Sequence, residues 1–115
     1  MMEKDSKQEV SSIEEDFFIN KAIQHMCTYH TSFAELEPEE ARSFIIQCKK
    51  EAFEQYRLFS EIAVMTFILV CWTLMDSVEN IPELDKLLRD FSKSDNERAA
   101  KLYEEVKKML GNSIL

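Results

Sequence analysis

The chain has 115 residues, the size of a single domain, and its one Gly and two Pro argue against the many turns that sheets and hairpins need. Its hydrophobic content of 45% is typical of a folded chain and not of a disordered one. The formal net charge of −8 argues against nucleic acid as a direct ligand, because phosphate binding needs clustered Lys and Arg.

The negative charge is unevenly distributed along the chain. Residues 1–16 contribute −4, residues 33–40 contribute −4 without any base, and residues 76–90 contribute −3. Residues 42–57 contribute +2. This distribution favours a basic protein as the charged partner, while general solubility is an alternative explanation for the same acidity.

In chain order, residues 1–11 are predicted to be a flexible acidic N-terminus. They lack the apolar stretch of a signal peptide, so a cytoplasmic protein is expected. Ser12 and Glu15 form a capping-box pattern that predicts the start of a first helix, which is expected to run to about His30. Its apolar positions follow a helical stripe: Phe18, Ile19, Ala22, Ile23, Met26, Cys27 and Tyr29. Phe17 widens that stripe, so either Phe17 or Phe18 is expected to be exposed.

The second predicted helix begins at Pro38, because proline suits the first helical position. Glu39 and Glu40 then fall in the first turn, where the helix dipole favours acidic side chains. The apolar positions have clear helical spacing: Ala41, Phe44, Ile45, Cys48, Ala52 and Tyr56.

The third predicted helix contains the stretch IAVMTFILVCWTLM, Ile62 to Met75, in which only Thr66 and Thr73 are polar. At about 1.5 Å per residue this stretch is about 21 Å long, too short for a bilayer core of about 30 Å. We therefore expect a buried central helix at about 61–77, with no membrane insertion. Trp72 is predicted either to lie in the core or to anchor a protein interface.

Two shorter predictions complete the chain. Pro82 suits the start of a fourth helix, and Ser94 with Glu97 forms a second capping box that opens the last helix. Gly111 is expected to end that helix, leaving a tail at 112–115. The predicted architecture is all-α, a single-domain bundle of about five helices at 12–111 packed around the apolar central helix.

Motifs that carry chemistry are not evident. The three cysteines, Cys27, Cys48 and Cys71, lack metal-ligand spacing and are expected to be small buried hydrophobic residues of a reduced protein. His25 and His30 would lie about 140° apart around a helix, so they cannot chelate one ion together. We predict a non-enzymatic protein with no cofactor and no metal.

Nine positions match a loose family pattern: Ala52, Tyr56, Ser60, Glu61, Val64, Pro82, Leu87, Leu88 and Arg98. With them, about half of the chain resembles the small helical proteins encoded beside VgrG, Rhs and other effector genes of bacterial type VI secretion systems. The chain departs from that pattern at Arg57, where the family usually has Gly, and at residues 74–77.

The resemblance implies either an immunity protein that binds and inhibits a cognate toxin or an accessory protein that helps to load an effector. A basic toxin suits the acidic charge of this chain. The residues predicted to bind it are acidic and unpaired in sequence: Glu35, Glu37, Glu39, Glu40, Asp76, Glu79 and Glu83. A homo-oligomeric structural protein, such as a homodimer, is the third alternative.

Overall fold

The computed structural model describes the backbone of residues 2–111 and the side chains of residues 15–111. Every regular element in that stretch is helical, so the predicted all-α class is confirmed. The elements are α1 (Met2–Tyr29), α2 (Thr31–Ala34), α3 (Pro38–Tyr56), α4 (Glu61–Leu74), a 3₁₀ turn (Val78–Asn80), α5 (Pro82–Leu88) and α6 (Asp95–Met109). The predicted tail at 112–115 lies outside the described residues.

The start of α1 differs from the prediction. The helix begins at Met2, so the predicted start at Ser12 is wrong, and the capping box of Ser12 with Glu15 includes a side chain outside the described ones. The backbone of residues 2–11 is helical, and their predicted flexibility stays a prediction.

The link after α1 contains one further helical turn that the sequence pattern did not predict. His30 has extended backbone angles, which end α1, and α2 follows at once. Phe33 in α2 is fully buried and packs edge-on against Phe44, with ring centroids 5.9 Å apart. The link therefore contributes an aromatic side chain to the core, which offsets the cost of ordering it.

The chain divides into two units, residues 1–46 and residues 47–115, and the boundary falls inside α3. In the first unit, Ile19, Ala22 and Met26 are fully buried, which agrees with the predicted stripe on α1. Phe17 is 73% exposed, as expected for one of the two adjacent phenylalanines. Tyr29 is 70% exposed, so its assignment to the buried stripe is wrong.

In the second unit, α4 packs against α6, and α6 also packs against α5. Phe67 and Val70 of α4 are fully buried, as are Leu102 and Val106 of α6. Burial of each such side chain contributes about 1.5–3 kcal/mol, so the α4–α6 contact is a main source of stability in this unit.

The central helix is shorter than predicted. Ser60 caps α4 by accepting a hydrogen bond from the Ala63 N–H at 3.2 Å. The helix ends at Leu74 and not near residue 77, because Met75 adopts a left-handed conformation with φ 55°. The Met75 N–H then bonds back to carbonyls of the last turn, which closes the helix.

The apolar surface of α4 is mostly but not wholly covered. Six of its 14 residues are buried, whereas Ile62 in the first turn is 72% exposed. Among the described residues, no single helix is long and apolar enough to cross a bilayer; α3 and α4 taken together reach that length and composition, but they are bent by 114°.

The predicted starts of α5 and α6 and the predicted end of α6 are confirmed. Pro82 lies in the first turn of α5, and Ser94 accepts a hydrogen bond from the Glu97 N–H at 3.2 Å at the start of α6. Gly111 has φ 72° after the end of α6, a conformation that glycine adopts without a steric penalty.

Candidate partner-binding surface

The first group of predicted binding residues lies where the chain enters α3. Glu35 and Glu37 belong to the link before the helix, and Glu39 and Glu40 occupy its first turn. All four side chains are exposed, and none of them forms an ion pair with the described part of the chain. Arg42, one turn further on, bonds to Asp16 instead. The four negative charges are therefore available to a partner.

The second group, Asp76, Glu79 and Glu83, lies in the other unit, after α4. All three side chains are exposed. Asp76 already has a local role, because its carboxylate accepts hydrogen bonds from the Asn80 side chain at 2.9 Å and from the Ser77 N–H at 2.7 Å. These two bonds hold the pKa of Asp76 below its usual value. Asp76 therefore shapes the turn after α4 as well as carrying charge.

Arg98 has a structural role that the sequence reasoning missed. Its side chain is only 4% exposed, although arginine is seldom buried. The guanidinium donates hydrogen bonds to four backbone carbonyl oxygens, those of Tyr56, Arg57, Leu88 and Lys93. The apolar periodicity does not predict this role, because in the sequence Arg98 resembles the other polar residues of an amphipathic helix.

The carbonyls bonded to Arg98 explain why a buried cation is tolerated there. Tyr56 and Leu88 are the last residues of α3 and α5, so their carbonyls have no partner within their own helices. Helix C-termini also carry partial negative charge, which favours a cation. A single guanidinium thus satisfies two helix ends, which removes the cost of burying their carbonyls unpaired.

A second anchor fixes the loop between α3 and α4. One carboxylate oxygen of Asp95 accepts hydrogen bonds from the backbone N–H groups of Phe59 and Ser60, both at 2.8 Å. These bonds, that of Ser60 first, lower the pKa of Asp95. The Ser60 hydroxyl also donates to the Asn96 side chain. The start of α6 therefore holds both the loop and the first turn of α4.

The position where the family pattern has glycine is conformationally unusual. Arg57 has φ 51°, in the left-handed region that glycine adopts most easily. Its guanidinium lies 4.8 Å from the centre of the Phe91 ring, and that of Arg98 lies 5.1 Å from the same ring. These cation–π contacts and the Arg98 bond to the Arg57 carbonyl help to hold the strained residue.

The same loop carries exposed aromatic side chains. Phe53 and Phe59 are 42% and 62% exposed, and their rings meet edge-on with centroids 5.2 Å apart. The Lys49 ammonium lies 5.8 Å from the Phe53 ring. The backbone N–H of Phe59 donates to the Asp95 carboxylate, which ties the residue that carries this ring to the start of α6. Exposed aromatic groups of this kind are typical of protein interfaces.

The side chains of α4 around Trp72 are mostly covered, so they expose little apolar surface for a protein interface. Trp72 and Leu74 are half-buried, whereas Phe67 is fully buried and Cys71 is 5% exposed. The Trp72 side chain therefore takes part in the packing of the chain, and the exposed apolar side chains lie nearer the ends of the helix.

The three cysteines differ in their burial. Cys48 and Cys71 are buried, while Cys27 is half-buried, so the expectation of full burial is wrong for Cys27. The hydrogen bond between the Cys71 and Cys48 thiols, together with burial, raises the pKa of Cys71. A protonated buried thiol is a poor nucleophile. The described residues hold no group of three or more His, Cys, Asp or Glu side chains placed to bind a metal.

These features define an all-α protein whose exposed side chains offer charge and aromatic contacts. No protein-family model, curated protein or solved structure matches the chain.

Proposed function

We propose that this chain is a cytoplasmic, non-enzymatic immunity protein that binds and neutralises a cognate secreted bacterial toxin. The observation that carries the proposal is the exposed acidic segment 35–40, whose four glutamates have no ion-pair partner in the described part of the chain. Such a segment complements a basic surface on a toxin and speeds their association.

The backbone of the α3–α4 loop supports the resemblance on which the toxin assignment rests. Arg57 holds a left-handed conformation at a position where the family pattern usually has Gly. Arg98, another pattern position, donates to the Tyr56 and Arg57 carbonyls, and the Ser60 N–H at the other end of the loop donates to Asp95. The bonds at positions 56 and 57 use backbone carbonyls, so they account for the arginine of the pattern and not for its tyrosine.

The exposed aromatic pair favours a second candidate function, an adaptor or chaperone for a type VI effector. Phe53 and Phe59 offer an exposed apolar contact for a hydrophobic segment of an effector. Deleting the gene distinguishes the two functions. Growth arrest by the cell's own toxin indicates immunity, whereas loss of effector secretion with normal growth indicates an adaptor.

The toxin-binding test uses charge-reversed variants with the co-encoded effector protein as the ligand. Glu35→Lys combined with Glu37→Lys changes only the link before α3, so the helix dipole is undisturbed. Glu39→Gln with Glu40→Gln is a separate variant, because reversal in the first turn would itself cost about 0.3–1 kcal/mol per residue. The control for the first variant, Glu54→Lys with Glu104→Lys, makes the same charge change at exposed helix positions outside the predicted site.

We expect the E35K/E37K variant to weaken toxin binding at least about tenfold, mainly through slower association, and to keep its melting temperature. The E54K/E104K control should bind like the unmodified chain. Equal affinity of E35K/E37K and the unmodified chain removes residues 35 and 37 from the site. If the unmodified chain neither binds the co-encoded effector nor protects cells against it, the immunity function is refuted.

A further inference from the structure

Three large apolar side chains in and beside the α3–α4 loop are exposed, and we call them the loop cluster: Phe53, Phe59 and Ile62. They are 42%, 62% and 72% exposed. Phe53 and Phe59 contact each other, with ring centroids 5.2 Å apart and the ring planes at 80°. The Thr66 hydroxyl, one turn after Ile62, donates to the Ile62 carbonyl at 2.8 Å, so its single donor is used within α4. The loop cluster is therefore an apolar contact surface.

The area of the loop cluster is too small for a stable dimer of this chain. Its three side chains together expose about 300–400 Å², because a large aromatic side chain alone has a surface of about 150–250 Å². A specific interface between two proteins buries about 800 Å² on each partner. Dimerisation would also bring together two chains that each have a net charge of −8. The loop cluster therefore fits a short segment of another protein better than a second copy.

The spacing of the two rings indicates the conformation of that segment. Side chains one turn apart on a helix have Cβ atoms about 5–6 Å apart, which matches the 5.2 Å between the ring centroids of Phe53 and Phe59. Side chains on the same face of an extended strand are two residues apart, or about 6.6 Å. A helix can therefore place one apolar side chain against each ring, whereas a strand matches the two rings less closely.

The charges that border the loop cluster do not select an acidic or a basic partner. Lys50 and Glu54 are exposed on α3, on either side of Phe53 in the sequence, and Glu61 is exposed at the start of α4. The Lys49 ammonium lies 5.8 Å from the centre of the Phe53 ring. Charges of both signs are thus close to the loop cluster, so a partner should be recognised there through apolar contact.

We propose that the loop cluster binds an amphipathic helix of a partner protein, which places two large apolar side chains, one turn apart, against Phe53 and Phe59. Ile62 lies at the edge of this contact. Amphipathic helices are commonly recognised through apolar side chains at this spacing. The inference deepens the adaptor candidate and rests on it for the source of the helix, which is the effector.

The test presents the full chain with two sets of peptides, each peptide about four helical turns long. One set is a random library displayed on phage, and the other consists of overlapping peptides of the co-encoded effector. Binding of the enriched peptides is then measured by fluorescence anisotropy. The site variant is Phe53→Ala with Phe59→Ala. The control, Phe17→Ala with Tyr29→Ala, removes two aromatic side chains that are 73% and 70% exposed on α1.

Two further measurements support the comparison. Circular dichroism of both variants verifies that the helices are retained. Sedimentation equilibrium of the unmodified chain and the site variant gives their oligomeric states.

We expect the enriched peptides to share two large apolar residues three or four positions apart. Their affinity should fall at least about tenfold in F53A/F59A and stay nearly unchanged in F17A/Y29A. Binding of an effector peptide with the same spacing identifies the effector as the source of the helix. Binding of library peptides without any effector peptide supports the surface and refutes the adaptor function.

Three results would overturn the proposal. No peptide binds saturably, or both variants lose affinity equally. Alternatively, the unmodified chain is a dimer that F53A/F59A dissociates, which assigns the loop cluster to a second copy.

Discussion

Replacing Arg98 with methionine tests the main structural inference, that one buried guanidinium satisfies the ends of two helices. Methionine keeps much of the volume and flexibility of the arginine stem but cannot donate hydrogen bonds. The variant leaves the Tyr56 and Leu88 carbonyls without this donor, and both of these bonds are buried. The bonds to Arg57 and Lys93 are only partly buried, so water can replace them.

The expected loss of stability follows from those two buried carbonyls. A buried polar group left without a partner costs about 1–3 kcal/mol, so the pair costs about 2–6 kcal/mol. Removing the guanidinium also removes its own desolvation cost, which offsets part of this loss. We expect R98M to lower the free energy of unfolding by about 3 kcal/mol, a large share of the 5–15 kcal/mol that is typical of a domain. Arg98→Lys keeps the positive charge but lacks the planar guanidinium. Its free energy of unfolding should lie between those of R98M and the unmodified chain.

The assay is urea unfolding followed by far-ultraviolet circular dichroism, with R89M as the matched control. Arg89 also donates to a backbone carbonyl and pairs with Asp85, but its side chain is 40% exposed. Water replaces those contacts, so R89M should cost about 1 kcal/mol or less. Equal losses in R98M and R89M, or a loss below about 1 kcal/mol in R98M, would refute the capping role of Arg98.

Two further predictions concern the α3–α4 loop. Arg57→Gly relieves the left-handed backbone but loses the Phe91 contact and gains unfolded-state entropy, so its stability should stay within about 1 kcal/mol of the unmodified chain. Arg57→Val should be less stable than Arg57→Gly by about 1–2 kcal/mol in the same urea assay, and the reverse order would contradict the backbone argument. Asp95, whose pKa is lowered in the folded state, stabilises the fold above its unfolded pKa of about 3.9, and this contribution is lost as the pH falls through the lower folded value. The stability difference between the unmodified chain and Asp95→Asn should therefore shrink as the pH is lowered from about 6 to about 3, and a constant difference would exclude ionised Asp95 as its source.

The features predicted well from sequence are those fixed by residues close together in the chain. Ser94 bonds to a backbone N–H three residues ahead, and Gly111 needs only its own conformational freedom. Helical periodicity likewise located α3 and α6, because buried side chains three and four residues apart line one face. Local rules suffice where the structure itself is local.

The predictions failed where a distant contact or an intrinsically unfavourable conformation decides the structure. Met75 ends α4 in a left-handed conformation that is costly for residues other than glycine, so the residue type at that position does not predict a helix end. Arg98 bonds to carbonyls 41 and 42 residues away, at Arg57 and Tyr56. Such a role depends on the tertiary fold, which no periodicity encodes.

The candidate site shows the same division. The exposure of Glu35 and Glu37 follows from their acidity and position in a link, and it was predictable. The hydrogen bonds that tie Asp76 into the turn after α4 depend on the geometry of that turn. The sequence therefore predicts that acidic residues are exposed. It does not show which of their carboxylates are bonded within the fold and which are available to a partner.

Two of the positions that carry the family resemblance, Ser60 and Arg98, have a structural role at the α3–α4 loop. Arg98 bonds to the carbonyls of Tyr56 and of the left-handed residue Arg57, and the Ser60 N–H bonds to Asp95, so these contacts hold the turn from α3 into α4. A pattern of this kind specifies the conformation of a loop, whereas the choice of partner depends on exposed side chains. For an immunity protein that binds through segment 35–40, substitutions there should weaken toxin binding without lowering stability, whereas substitutions at Arg98 should lower stability and weaken binding only as far as the chain unfolds.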